Sequence, residues 1–185
     1  MKTNTLVLTK YATPAMLEAV LKRAVNRPDD TTFVILKPTD EAPASSHVVQ
    51  HVSGMKGDVC DILWECAKLE QELPLLVASS RGYLYDFTLQ AFPDGASIAV
   101  FCDEPTAAGF KRDASGDVIE SAALTGRSLF RAYFRTTAAF TKLSQTIILD
   151  GKKTADGYEL RTVINQAVLN GLKISVELLP EVGAA

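Results

Sequence analysis

The stretch Tyr83–Cys102, YLYDFTLQAFPDGASIAVFC, decides the fold class. From Tyr83 to Phe92 the residues alternate, with Tyr83, Tyr85, Phe87 and Leu89 on one face and Leu84, Asp86, Thr88 and Gln90 on the other. A period of two is the pattern of a half-buried strand. Pro93-Asp94-Gly95 is a turn signal, and Ser97–Cys102 returns as a second apolar strand. The segment therefore predicts an antiparallel hairpin in the middle of the chain.

On both sides of that hairpin the pattern switches between helix and strand. Upstream, Thr5–Thr9 predicts a strand. Thr13 then predicts an N-cap, with Pro14 at the first helical position, where its missing N–H costs nothing. Leu17, Val20, Leu21 and Ala24 give that helix one apolar face. Thr32–Lys37 and His47–Val52 predict further strands. Asp58 predicts the start of a second helix with Val59, Ile62, Leu63, Cys66, Leu69 and Leu73 buried, and Pro74–Ser79 predicts a short apolar strand.

Downstream, a small hairpin fits around Ser115-Gly116, and Thr125–Leu143 is the longest helix candidate, followed by a strand at Thr146–Leu149. Asp156 with Glu159 resembles a capping box before the stripe Leu160, Val163, Ile164, Ala167 and Val168. Asn170-Gly171 closes that helix, and the alternation of Lys173–Leu178 suits an antiparallel neighbour or an edge strand. The expected class is α/β of mixed α+β character. It has a single sheet with an antiparallel hairpin in the middle and helices packed on it, within one globular domain over 1–185.

Composition narrows the function classes. Lys plus Arg is 19 and Asp plus Glu is 22, a net charge of −3, which excludes a protein that coats nucleic acid with its whole surface. The apolar run Leu73–Ala78 is far short of the ~20 residues that span a bilayer, and no apolar signal follows Met1-Lys2. The three cysteines, Cys60, Cys66 and Cys102, are odd in number and form no C-x-x-C pair. Together these predict a soluble cytoplasmic protein without membrane contact, its thiols serving as packing residues.

The sharpest chemical pattern lies in the 125–143 segment. On a helix at ~100° per residue, Arg131, Arg135 and Lys142 fall about 40°, 80° and 60° from Arg127, so four cations share one stripe. No Asp or Glu occurs from Ala122 through Gln145 to pair with them. Leu129, Tyr133, Phe140 and Leu143 would face the core. Guanidinium forks at each turn suit phosphates and carboxylates. The expectation is a binding or regulatory protein whose Arg127, Arg131, Arg135 and Lys142 contact an acidic protein surface or nucleic-acid phosphates. Asp61, Glu65 and Glu72 with Lys68 and Trp64 on the second helix form an acidic counterpart, which leaves self-association open.

The alternative is a metal-dependent phosphodiesterase or nuclease. Strand ends in α/β sheets commonly carry ligands, and here they bring Lys37, Ser79-Ser80-Arg81, Asp103-Glu104 and Asp150-Gly151-Lys152. Asp103 and Asp150 would hold Mg²⁺ while Lys152 orients water. Only this alternative calls for a cofactor. His47 and His51 are the only histidines; read as strand residues they lie ~13 Å apart, and no third ligand of suitable spacing accompanies them. Neither G-x-x-x-x-G-K-[ST] nor G-x-G-x-x-G occurs, and Val77–Gly82 is a small-residue turn after a strand.

Overall fold

The computed structural model describes residues 2–27, 31–36, 48–52, 66–103, 109–121, 124, 129–155 and 157–181. Among these, β1 is Asn4–Leu8, α1 Pro14–Val25, β2 Thr31–Leu36, β3 Val48–Val52 and β4 Leu75–Ser79. A short helix α2, Ser80–Leu84, leads to β5, Ile98–Cys102. β6 is Phe110–Arg112, β7 Val118–Ser121, β8 Phe130–Phe134, α3 Thr137–Leu149, α4 Leu160–Leu169 and β9 Ile174–Leu178.

Seven of the described strands form one sheet in the order β3-β2-β1-β4-β8-β5-β9, and β6 and β7 form a separate hairpin. Every pairing in the large sheet is parallel except the two made by β8, which runs antiparallel between β4 and β5. The mixed α/β class is therefore as expected, with helices on both faces. On one face α3 and α4 lay Phe140, Leu143, Ile147, Leu160, Val163, Ile164 and Ala167 over Leu75, Val77, Ile98, Val100 and Ile174. On the other, Val20 and Ala24 of α1 and Tyr83 of α2 pack on Val7, Leu76, Ala78, Ala99, Phe101 and Tyr133.

Where local signals were strong, the elements stand where the residues place them. Thr13 accepts a bond from Met16 N (3.2 Å) ahead of Pro14, as an N-cap should. Gly116 (φ +89°) turns the small hairpin, and Gly171 (φ +75°) follows α4 in the left-handed conformation that glycine tolerates. β9 is an edge strand with Ile174 and Val176 inward, although its neighbour β5 is parallel to it and Leu178 is exposed.

Three elements differ. The central antiparallel pairing exists, but β8 supplies it rather than Tyr83–Phe92. Ser79 Oγ accepts from Gly82 N (3.0 Å) and starts α2, and residues 85–96 then run without ladder partners. The alternation there still sorts buried Leu89 from exposed Asp86, Thr88 and Gln90. It reports an extended chain lying on the sheet, not a strand within it. The 125–143 helix is also replaced. Phe130–Phe134 is a strand buried on both faces, and Thr136, whose hydroxyl accepts from Ala139 N (3.2 Å), begins α3 only afterwards. Because that helix starts late it reaches Leu149, so Thr146–Leu149 is its last turn instead of a strand. Glu159 precedes α4 without a side-chain cap, bonding Thr154 and Arg161 instead.

Arg127, Lys37, His47, Cys60, Glu104, Asp156 and residues 58–65 of the expected second helix, with Asp61, Trp64 and Glu65, lie outside the described residues. Past Cys66 the chain is in turns through Leu73. No helix among the described residues is long and apolar enough to cross a membrane.

Candidate functional site at the carboxyl edge of the sheet

Six parallel strands end on one edge. β1 has β2 on one side and β4 on the other, so the connections diverge there, and in open α/β sheets ligands favour such a switch point. Leu8 pairs with Ser79 in register, so Lys10 and Arg81 each stand two residues beyond that pair. Ser80 Oγ donates to the Leu8 carbonyl (2.9 Å), sealing the two strand ends together. Ser79 Oγ also accepts from Phe130 N (3.3 Å), joining the β4 end to β8. Lys10 lies across the Tyr11 ring at 5.3 Å, and Arg81 is exposed on α2.

Behind α2 two guanidiniums hold its carbonyls. Arg131 is 2% exposed, and its side chain rises on the face that carries Tyr133. Its Nη1 donates to Gly82 O (2.8 Å) and Tyr85 O (3.2 Å), and its Nε donates to Tyr133 Oη (2.9 Å). The cation also sits 5.9 Å from the Phe87 ring and 5.6 Å from that of Tyr133. From α1, Arg23 Nη1 donates to Leu84 O (3.1 Å), and its Nη2 lies 3.6 Å from Asp86. Burial, followed by the charge of Arg27, lowers the Arg23 pKa from its ordinary value. Cations at the carbonyl end of a helix are favourable, and charge-assisted bonds are the stronger kind. Tyr85 Oη donates to Pro180 O, which ties the chain beyond β9 to the same segment.

The expected row of cations is therefore not assembled. Arg131 is buried in β8. Arg135, just past that strand, donates from Nε and Nη2 to Ala96 O (3.0 and 2.6 Å) and covers the Phe92 ring at 4.8 Å. Lys142 is exposed on α3, whose core residues pack on the sheet face opposite Tyr133. The cause is the strand at 130–134, since side chains that share a helical stripe point to different faces and edges once part of the segment is extended.

The acids of the alternative are placed as follows. Asp103 follows β5 and is exposed, whereas Asp150 caps the end of α3 and pairs with Lys152 (3.3 Å). Lys152 Nζ also donates to Gln166 Oε1 (2.6 Å). Among the described residues no group of three or more His, Cys, Asp or Glu is placed to hold a metal ion. Next to Asp103, burial and then that carboxylate push the Cys102 thiol up to about 11, which keeps it protonated and unreactive at neutral pH.

Ser79-Ser80-Arg81 is legible in the sequence as a strand-end group, whereas Arg23 as a partner of α2 is not. Nothing in local spacing links residue 23 to residue 84.

No protein-family model matches the chain, and no curated relative is detected by sequence. Solved structures do resemble it. A nucleoside-diphosphate-sugar pyrophosphorylase from Vibrio cholerae RC9 superposes with a TM-score of 0.57 at 12% identity, over 97% of this chain and 92% of that one. The 2-C-methyl-D-erythritol 4-phosphate cytidylyltransferase of Thermus thermophilus gives 0.56 at 14% identity, over 100% and 92%. The enzyme of the same name from Francisella tularensis gives 0.53 at 9%, over 98% and 92%. At these identities the likeness is one of fold: this chain shares its mixed α/β architecture with those enzymes. It also corrects the functional expectation. The basic helix that motivated a regulatory binding protein is a buried strand followed by a different helix, and the structural neighbours carry the names of enzymes, a pyrophosphorylase and a cytidylyltransferase, instead of a regulatory protein or a nuclease.

Proposed function

We propose that the protein is an enzyme of the nucleotidyltransferase kind, taking a nucleoside triphosphate over the β1–β4 switch point and a phosphorylated small molecule beside it. One observation carries this reading. The fold of this chain superposes over at least 97% of its length on structures named as a nucleotide-sugar pyrophosphorylase and a cytidylyltransferase. Lys10 and Arg81 stand at the carboxyl edge, suited to phosphate charge. In the proposed step, an acceptor phosphate oxygen forms a bond to the α-phosphorus. The α-phosphorus bond to the bridging oxygen breaks, and pyrophosphate leaves.

Phosphoryl chemistry often draws on Mg²⁺ held by carboxylates. The described residues at the ends of β1 and β4 do not fit that role, since Thr9, Lys10, Tyr11, Ser79, Ser80 and Arg81 include no carboxylate.

The test is a panel of CTP, UTP, ATP and GTP followed by unfolding temperature, then by pyrophosphate release with sugar phosphates and polyol phosphates. One nucleotide is expected to raise the unfolding temperature and to support turnover. Failure of all four to bind at millimolar concentration overturns the proposal.

A further inference from the structure

We infer that the anionic group bound at this edge is met by guanidinium charge, so that its binding requires no divalent cation. The inference rests on the reading above, that the carboxyl edge takes a phosphate-bearing ligand, and it specifies how the charge is balanced.

Three guanidiniums surround the five residues of α2 and the turn after it. Arg81 is exposed on the helix, Arg131 holds the carbonyls of Gly82 and Tyr85 from below, and Arg23 holds that of Leu84 from α1. Among the described residues one carboxylate answers them, Asp86, and it stands 3.6 Å from Arg23 with a side chain 84% exposed. An ion pair so open to water neutralises little. No described carboxylate lies within ion-pair distance of Arg131, whose partners are two carbonyls, one hydroxyl and two aromatic rings. A charge held at 2% exposure is weakly screened, so its field reaches the surface of α2.

The depressed pKa of Arg23, to which both Arg27 and Arg131 contribute, points the same way. Among the described residues positive charge is in excess around α2, in a chain whose net charge is −3, and Asp103, the carboxylate that follows β5 on the same edge, is separated from the β4 end by β8. A divalent cation brought to this place meets repulsion and finds no carboxylate at the ends of β1 or β4. A phosphate meets attraction and a bidentate donor in Arg81. Arg131 and Arg23 act through their field and by fixing the helix on which Arg81 stands.

The experiment titrates the full chain with inorganic pyrophosphate by calorimetry, once in EDTA and once in excess Mg²⁺, with Arg81→Ala and Arg81→Lys alongside. Pyrophosphate is expected to bind in EDTA at least as tightly as in Mg²⁺. Arg81→Ala should weaken it about tenfold, the worth of one charge-assisted bond, and Arg81→Lys should recover part of that loss. Binding seen only with Mg²⁺, binding unchanged in Arg81→Ala, or no binding in either buffer each overturns the inference. Nucleotide binding that depends on Mg²⁺ keeps the enzyme reading and removes this one. Metal-free pyrophosphate binding without any nucleotide binding does the reverse.

Discussion

Gly82 is pressed against the carbonyl of Phe130, so closely that a Cβ built on it would sit 1.9 Å from that oxygen. The contact joins the helix after β4 to the first residue of β8, the strand that breaks the parallel run of the sheet. The obstacle is backbone, which cannot rotate away as a flexible side chain can. Gly82→Ala is therefore expected to cost about 3 kcal/mol, the upper range for overpacking a tight site. Urea denaturation measures it. A midpoint equal to the parent's would show that the two segments can separate without penalty.

Arg131 anchors the same helix through different chemistry. Removing its guanidinium leaves the carbonyl of Gly82, 2.8 Å away, without that donor, and leaves an aromatic cage of Phe87 and Tyr133 to collapse. Arg131→Met is expected to lower stability by about 3 kcal/mol. Arg131→Lys, which keeps the charge but not the fork, should fall between. Equal stability of the Met variant and the parent would show that the cation contributes no net stability.

Asn165 ties the end of the β6–β7 hairpin to the body through both ends of its amide. Asn165 Oδ1 accepts from Ser121 N (2.7 Å), and its Nδ2 donates to Ser121 O (3.0 Å), as a neighbouring strand would. Arg112 adds a bond from Nη2 to Val176 O (3.1 Å). Asn165→Ala should raise amide exchange at Ser121 about tenfold while leaving α3 unchanged, the local loss being about 1–2 kcal/mol. Asn165→Asp, which keeps the acceptor, should protect that amide better than Ala. Uniform change across the chain would contradict a local anchor.

Cys102 supplies a pH dependence. Its thiol titrates near 9.0 when free and at about 11 in the fold, raised by burial first and by Asp103 second. A raised pKa means that the folded state keeps its proton longer. The contribution is thus complete below pH 9 and is lost as pH climbs from 9 towards 11. Stability of the parent should decline faster across that window than stability of Cys102→Ala, measured by urea midpoints at each pH. Parallel curves would place the burial cost elsewhere.

Much of the architecture is legible in short windows of sequence. Thr13-Pro14 starts α1, the stripe from Leu160 to Ala167 gives α4 its buried face, and Gly171 ends the turn into β9, because caps, periodicity and positive φ act within a few residues. Strand–helix alternation likewise suffices for a mixed α/β class. What only the tertiary structure decided is which extended segment enters the sheet. Residues 86–90 carry the alternation of a strand yet lie outside it, because Phe130–Phe134 occupies the place between β4 and β5. The same event takes cations that fit one helical stripe at ~100° per residue and leaves Arg131 buried in β8, Arg135 bound to the Ala96 carbonyl and Lys142 exposed on α3. Pairing partners and the meeting of Arg23 with Leu84 are separated by tens of residues, and such contacts are chosen by competition for burial across the whole chain rather than by local propensity.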